Sequence, residues 1–310
     1  MLLKSRLFLA AAFFLAGTSV VAARYVSEYL RPFGITFLSL FFAVLFALPL
    51  RGGKIAATAK RLHRRQWLAL ALQAFFGIFL FRILLAWGLR HITASEAGIV
   101  TGTAPAITAA LAWLLLREKL TPRILAAVAC SVLGIVLLQK PPASGAGDGG
   151  ARMIGSLLVF AAAACEALFA ILAIKLQGTD GNGRDLHPID HAALVSAMAM
   201  VFCAALMLYE EPIASIASLP AGGWLALLWY GGMVTVAAFA CMFAGARHCD
   251  GRTISAFTGL IPLSALALSA ILLGERITPP QAAGCLLVIA SIGIVSRGAS
   301  AAADPARAHP

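Results

Sequence analysis

Glu166 is the one acidic or basic residue in the apolar run AAAACEALFAILA, and Arg82 is the one in FGIFLFRILLAWGL. If these runs lie in lipid, a charge at their centre costs about 2.5–3.5 kcal/mol on insertion scales unless it is neutralised, paired or facing water. A carboxylate that passes between those conditions can carry a proton or hold a substrate. An arginine keeps its charge, so it needs a carboxylate, a substrate anion or a route to the interface. The bland alternatives are a protonated Glu166 bonded to a neighbouring helix and an Arg82 that snorkels to the surface. Pairing of Arg82 with Glu166 across a central cavity is a third expectation.

Pro105 and Pro262 interrupt two further apolar runs, TGTAPAITAALAWLLL and TGLIPLSALALSAILL. A proline in the middle of a helix frees the carbonyl four residues back, which membranes tolerate where protein or water satisfies it. Symmetric kinks there suit a substrate pocket and a hinge, although a simple packing kink explains them too. Thr101 and Thr258 supply those carbonyls, and with Glu166, Arg82, Pro105 and Pro262 they form the expected substrate or proton pathway. Gly98 and Gly102, spaced as small-xxx-small, read as a helix contact.

Other polar residues read as structural. Glu118 and Glu275 fall at helix ends beside basic residues and are expected to make interfacial ion pairs. Thr93 with Glu96 fits a capping box. His91 and His248 read as loop-end histidines. The stretch QGTDGNGRDLHPIDH contains Asp180, Asp185, His187, Asp190 and His191 but lacks metal-loop spacing, so a solvated joint is expected and no metal. The six cysteines are scattered without ligand spacing and read as packing residues. No phosphate-binding Gly-Lys-Ser/Thr loop occurs, so no direct ATP drive and no cofactor are expected.

The elements that position these residues follow from composition. Of 310 residues, 61% are hydrophobic and 12% charged, with mean hydropathy +0.92, far from the balance of a soluble domain. Apolar runs of bilayer length predict ten spans: 7–23, 32–50, 67–87, 94–116, 122–139, 153–175, 191–209, 224–246, 253–273 and 279–296. The net charge of +11 is dispersed through the gaps, which excludes a nucleic-acid patch. Alternate gaps hold 17 and 6 Lys or Arg residues, with Arg82 inside a span, so both termini are expected in the cytoplasm. The cluster RGGKIAATAKRLHRR is the strongest anchor of that orientation.

Residues 88–122 laid over 245–279 agree at 13 of 35 positions without a gap. The matches include rare types: Gly88/Gly245, Arg90/Arg247, His91/His248, Pro105/Pro262 and Glu118/Glu275. Duplication explains this better than shared apolarity. Five spans per copy is an odd number, so the second copy enters the membrane inverted, a device of secondary transporters. The expected fold is therefore an all-α integral membrane protein of ten transmembrane helices in two inverted five-helix repeats, at 1–140 and 153–297, joined by the flexible linker KPPASGAGDGG.

The passages TGTAPAITAALAWLLLREKLTP and TGLIPLSALALSAILLGERITPP resemble the two copies of the most recognisable segment of the drug/metabolite transporter superfamily, in its EamA-like branch. The stretch FLSLFF around Ser39 departs from that pattern where an arginine often stands. The resemblance implies a plasma-membrane exporter, in a bacterial inner membrane, of small polar metabolites or amino-acid-like compounds. It works by alternating access and is a candidate for proton coupling through Glu166. A membrane enzyme would need clustered catalytic residues, which the spans lack. A non-transporting receptor or assembly protein would tolerate loss of the cavity. The expected partners are a small-molecule substrate and membrane lipid; a homodimer is compatible with the chain but nothing requires one.

Overall fold

Leucine, alanine, valine and phenylalanine, broken by Gly, Pro and short charged stretches, leave the backbone one way to satisfy its polar groups in lipid: helix. A computed structural model describes residues 2–116, 122–138, 149–177, 187–210, 213–246, 249 and 251–298, and among these all regular structure is helical. The predicted Glu118, His248, most of the loop 177–191 and nearly all of the linker 140–150 lie outside the described residues.

The helices are α1 (Leu2–Val26), α2 (Pro32–Arg61), α3 (Arg64–Gly88), α4 (Ala94–Thr101), α5 (Ala104–Leu116), α6 (Pro122–Leu138), α7 (Gly149–Gln177), α8 (Pro188–Glu210) and α9 (Ile213–Ala217). Then α10 runs through Ala221–Leu228, Trp229–Ala237 and Ala238–Ala246, followed by α11 (Gly251–Phe257), α12 (Leu260–Leu272) and α13 (Pro279–Gly298). Six of them are long and apolar enough to cross a membrane: α1, α2, α3, α8 and stretches of α7 and α10. Within α6, α12 and α13 the apolar stretches are shorter. Leu3, Leu48, Leu208, Ile271 and Leu286 are exposed, while Ser39, Arg82, Ser95, Thr235 and Ser269 are buried. Apolar outside and polar inside is the distribution a lipid solvent selects.

Four spans differ from expectation. The predicted spans 94–116 and 253–273 are each broken, at Gly102–Thr103 and at Thr258–Gly259. The break falls just ahead of the proline, so Pro105 and Pro262 sit in the first turn of a new helix and do not kink a continuous one. The first turn is where a missing N–H costs least. Helix α2 runs on to Arg61 past a non-helical Arg51 (φ −151°, ψ 18°), so part of the basic cluster is helical. Helix α8 begins at Pro188, which draws Asp190 and His191 out of the expected loop into a buried first turn.

Packing pairs run antiparallel. Phe33 N–H donates to Glu210 Oε2 (2.7 Å) at one end of the α2–α8 pair, and Arg51 meets Asp190 at the other. Ser131 and Ser291 share a hydrogen bond (2.8 Å) between α6 and α13. Helices α4 and α12 approach so closely that a Cβ on Gly98 would overlap that of Ala265. Gly98→Leu is therefore expected to lower stability by about 1–3 kcal/mol through overpacking, read as a lower unfolding temperature in detergent. Gly53→Leu, at an open position, should leave it unchanged.

Candidate functional site

Two segments of π-helix, Ala74–Leu80 in α3 and Trp229–Ala237 in α10, stand at positions related by the same 157-residue shift as the sequence repeat. π-Segments widen a helix and re-aim its side chains, and they concentrate at functional sites. Arg82 lies two residues past the first segment, and Tyr230 and Thr235 lie in the second. Gly231 backs onto α2 so closely that a Cβ there would collide with the Ser39 carbonyl oxygen, which brings Thr235 and Ser39 to one place.

Arg82 is 6% exposed. Its Nη1 donates to Ser39 Oγ (2.5 Å) and its Nη2 to Thr235 Oγ1. Both hydroxyls spend their own protons on backbone carbonyls, Ser39 on Thr36 (3.0 Å) and Thr235 on Tyr230 (2.9 Å), so each presents lone pairs to the guanidinium. The second bond reaches back five residues, which the π-register allows. The guanidinium carbon stands 4.1 Å from the centre of the Tyr230 ring, a cation–π contact. The surface-seeking arginine is thereby overturned: hydroxyls and a ring hold the charge in the interior.

Glu166, on α7, is half-buried and makes no hydrogen bond or ion pair among the described residues. The expected Arg82–Glu166 pair does not form; the hydroxyl cradle takes its place. The two helix breaks come together, since a Cβ on Gly102 would stand 3.0 Å from Pro262. Thr101 is buried and donates to the Gly98 carbonyl (3.0 Å), Pro105 is half-buried, and Thr258 flanks the second break.

Charged side chains at the two ends of the bundle tie segments far apart in the chain. Glu275 makes no pair with Arg276: its carboxylate caps α4, accepting from Ala94 N–H (2.8 Å), Ser95 N–H (2.9 Å) and Ser95 Oγ (2.5 Å). A helix N-terminus favours such a carboxylate because its first N–H groups lack partners. Glu96 completes the expected capping box with Thr93 and also pairs with Arg152 of α7. At the other end Arg51 holds Asp190 with two bonds (2.6 and 3.0 Å), Thr58 donates to the same carboxylate (3.3 Å), and His191 bonds Gln73 (2.7 Å). Pro188 followed by Asp190 is a helix-start signal that sequence reasoning could have used.

The family model for the EamA-like transporter family matches residues 3–139 and again 153–297. The chain belongs to the EamA-like transporter family. It is therefore a multi-pass membrane protein of a transporter family. An uncharacterized transporter of Bacillus subtilis (strain 168), YetK, is 30% identical over 92% of this chain and 84% of its own length. A protein of Salmonella typhimurium (strain LT2), named "Probable amino-acid metabolite efflux pump", is 24% identical over 65% of this chain and 67% of its own. One crystal structure shares the fold at a TM-score of 0.61, with 18% identity, over 98% of this chain and 100% of the other.

Asp190 is 3% exposed at its side chain and Arg51 21%. Asp190→Asn, which keeps the shape and removes the charge, is expected to cost about 1.5–3 kcal/mol of stability, the worth of hydrogen bonds to a charged group. A chemical or thermal unfolding series on purified protein measures it.

Proposed function

We propose that this protein is a secondary transporter of the plasma membrane that exports small polar metabolites or amino-acid-like compounds by alternating access. In this reading ten spans form two inverted halves, 1–140 and 153–297, with both termini in the cytoplasm. The observation that carries it is the pair of lone charged groups, Arg82 and Glu166, inside helices of membrane-crossing length, neither with an ionic partner among the described residues. A fold needs no such groups, and lipid penalises them. Alternating exposure to water and substrate gives them a use.

Three further features support the inverted arrangement. The π-segments recur at the 157-residue shift. The helix breaks recur at matched prolines and touch. Antiparallel pairs such as α2 with α8 join the first half to the second. The end ties then divide between the faces, Glu275 and Glu96–Arg152 toward the outside and Arg51–Asp190 toward the cytoplasm. Rocking would break one set while the other holds. The substrate class draws on the family and on the name of the Salmonella relative.

Glu166 is the proposed proton carrier. Purified protein in liposomes, offered a panel of amino acids and small metabolites with and without a pH gradient, should move at least one of them and move it faster with the gradient. Glu166→Gln should retain exchange of that substrate and lose the effect of the gradient. Gradient-driven flux that persists undiminished in Glu166→Gln contradicts the assignment, and absence of flux for every compound contradicts the transport reading.

A further inference from the structure

Among the described residues, the interior charges are compensated except for Glu166 and Arg82. Arg51 has Asp190, Arg152 has Glu96, Glu275 has the N–H groups of α4, and Glu210 has the Phe33 N–H. Arg82 is more deeply buried than Arg51 or Arg152 and rests on two neutral hydroxyls and the face of the Tyr230 ring, with no carboxylate among the described residues. A guanidinium carries five N–H donors, and the described contacts occupy one on each terminal nitrogen. The remaining three have no hydrogen-bond acceptor among the described residues. The Tyr230 ring lies against the guanidinium, and its hydroxyl is buried with no hydrogen-bond partner among the described residues.

Burying a charge and a hydroxyl with unspent donors is expensive unless a ligand completes them. A planar guanidinium with free donors matches a carboxylate, which it can grip through two parallel bonds. The site is also one-sided. The position equivalent to Arg82 in the second repeat is Phe239, and the equivalent of Ser39 is Ser196, whose hydroxyl is buried without a partner among the described residues. Duplication therefore left a single cation, suited to one anionic end of a small molecule and to no symmetric dianion.

We infer that Arg82, with the Tyr230 hydroxyl beside it, is the binding site for the carboxylate of the transported compound. The inference rests on the transport reading for the identity of the ligand as a substrate. Ser39 and Thr235 are positioning residues: they park the guanidinium between α2 and α10, one from each proposed half, until the carboxylate engages it. A carboxylate on the free donors draws the guanidinium toward itself while Nη2 still holds Thr235 across the proposed halves, so binding loads a contact between them and is thereby tied to rocking.

The test uses the purified full chain in detergent. Thermal unfolding is followed with short monocarboxylates and α-amino acids, each paired with its uncharged or amidated counterpart, and with chloride titrated alone. At least one carboxylate should protect the wild type, with its amide bound about tenfold to a hundredfold more weakly, the worth of charge-assisted bonds. Arg82→Gln should bring the two members of the pair level. Arg82→Lys, which keeps the charge and loses the fork, should fall between, and it serves also if Arg82→Gln does not fold. Equal protection by acid and amide, a preference that survives both substitutions, protection by chloride alone, or no protection by any carboxylate would each overturn the inference. A carboxylate that binds through Arg82 without flux in liposomes would sink the transport reading and leave the site standing. Flux of compounds indifferent to the carboxylate would do the reverse.

Discussion

Lipid offers no hydrogen bonds, and most of this architecture follows from that constraint. Each backbone N–H and C=O inside the bilayer must find a partner within the protein, so the described chain is helix after helix. Where helices do break, at Gly102–Thr103 and Thr258–Gly259, the breaks are covered: Gly102 lies against Pro262. Proline enforces the breaks, because its ring would strike the carbonyls of Thr101 and Thr258 in a continuous helix. Glycine lets the helices close over them. The same logic places Glu275 on the open end of α4, where a side chain from another segment supplies what the helix cannot.

Inside this frame the polar groups sort by depth. Near the helix ends two ion pairs, Arg51 with Asp190 and Arg152 with Glu96, stitch distant segments together. Arg82 and Glu166 are not paired, and they belong to α3 and α7, which pack on each other. A π-segment turns Thr235 toward Arg82, and Gly231 allows α10 close enough to α2 for Ser39 to share the load. Structural charge at the ends and uncompensated charge within is the pattern expected of a carrier, whose end ties must exchange and whose interior must accept cargo.

Much of this was legible in the sequence because lipid imposes a simple code. Long apolar runs, the Thr93–Glu96 capping box and the duplicated Thr-Gly-x-x-Pro passages all announce themselves locally. What was hidden depends on neighbours far along the chain. Nothing around Arg82 predicts Ser39 and Thr235, which lie 43 and 153 residues away. Glu275 looks like a surface ion pair until α4, some 180 residues earlier, is brought beneath it. The π-segments carry no compositional mark, since Ala, Phe and Gly fill ordinary helices equally well. Asp190 was misjudged because the polar stretch before it suggested a loop, although Pro188 signals a helix start.

The account stands on the two halves being inverted with respect to each other, because only then do matched breaks and opposed end ties amount to alternating access. Lys119 and Arg276 occupy matched positions in the two copies. Single cysteines placed at each, with the native cysteines replaced, can be labelled in intact cells and in inside-out vesicles by a thiol reagent that does not cross membranes. With inverted halves, Arg276→Cys reacts in intact cells and Lys119→Cys reacts only in inverted vesicles. Labelling of both from the same side would contradict that inversion.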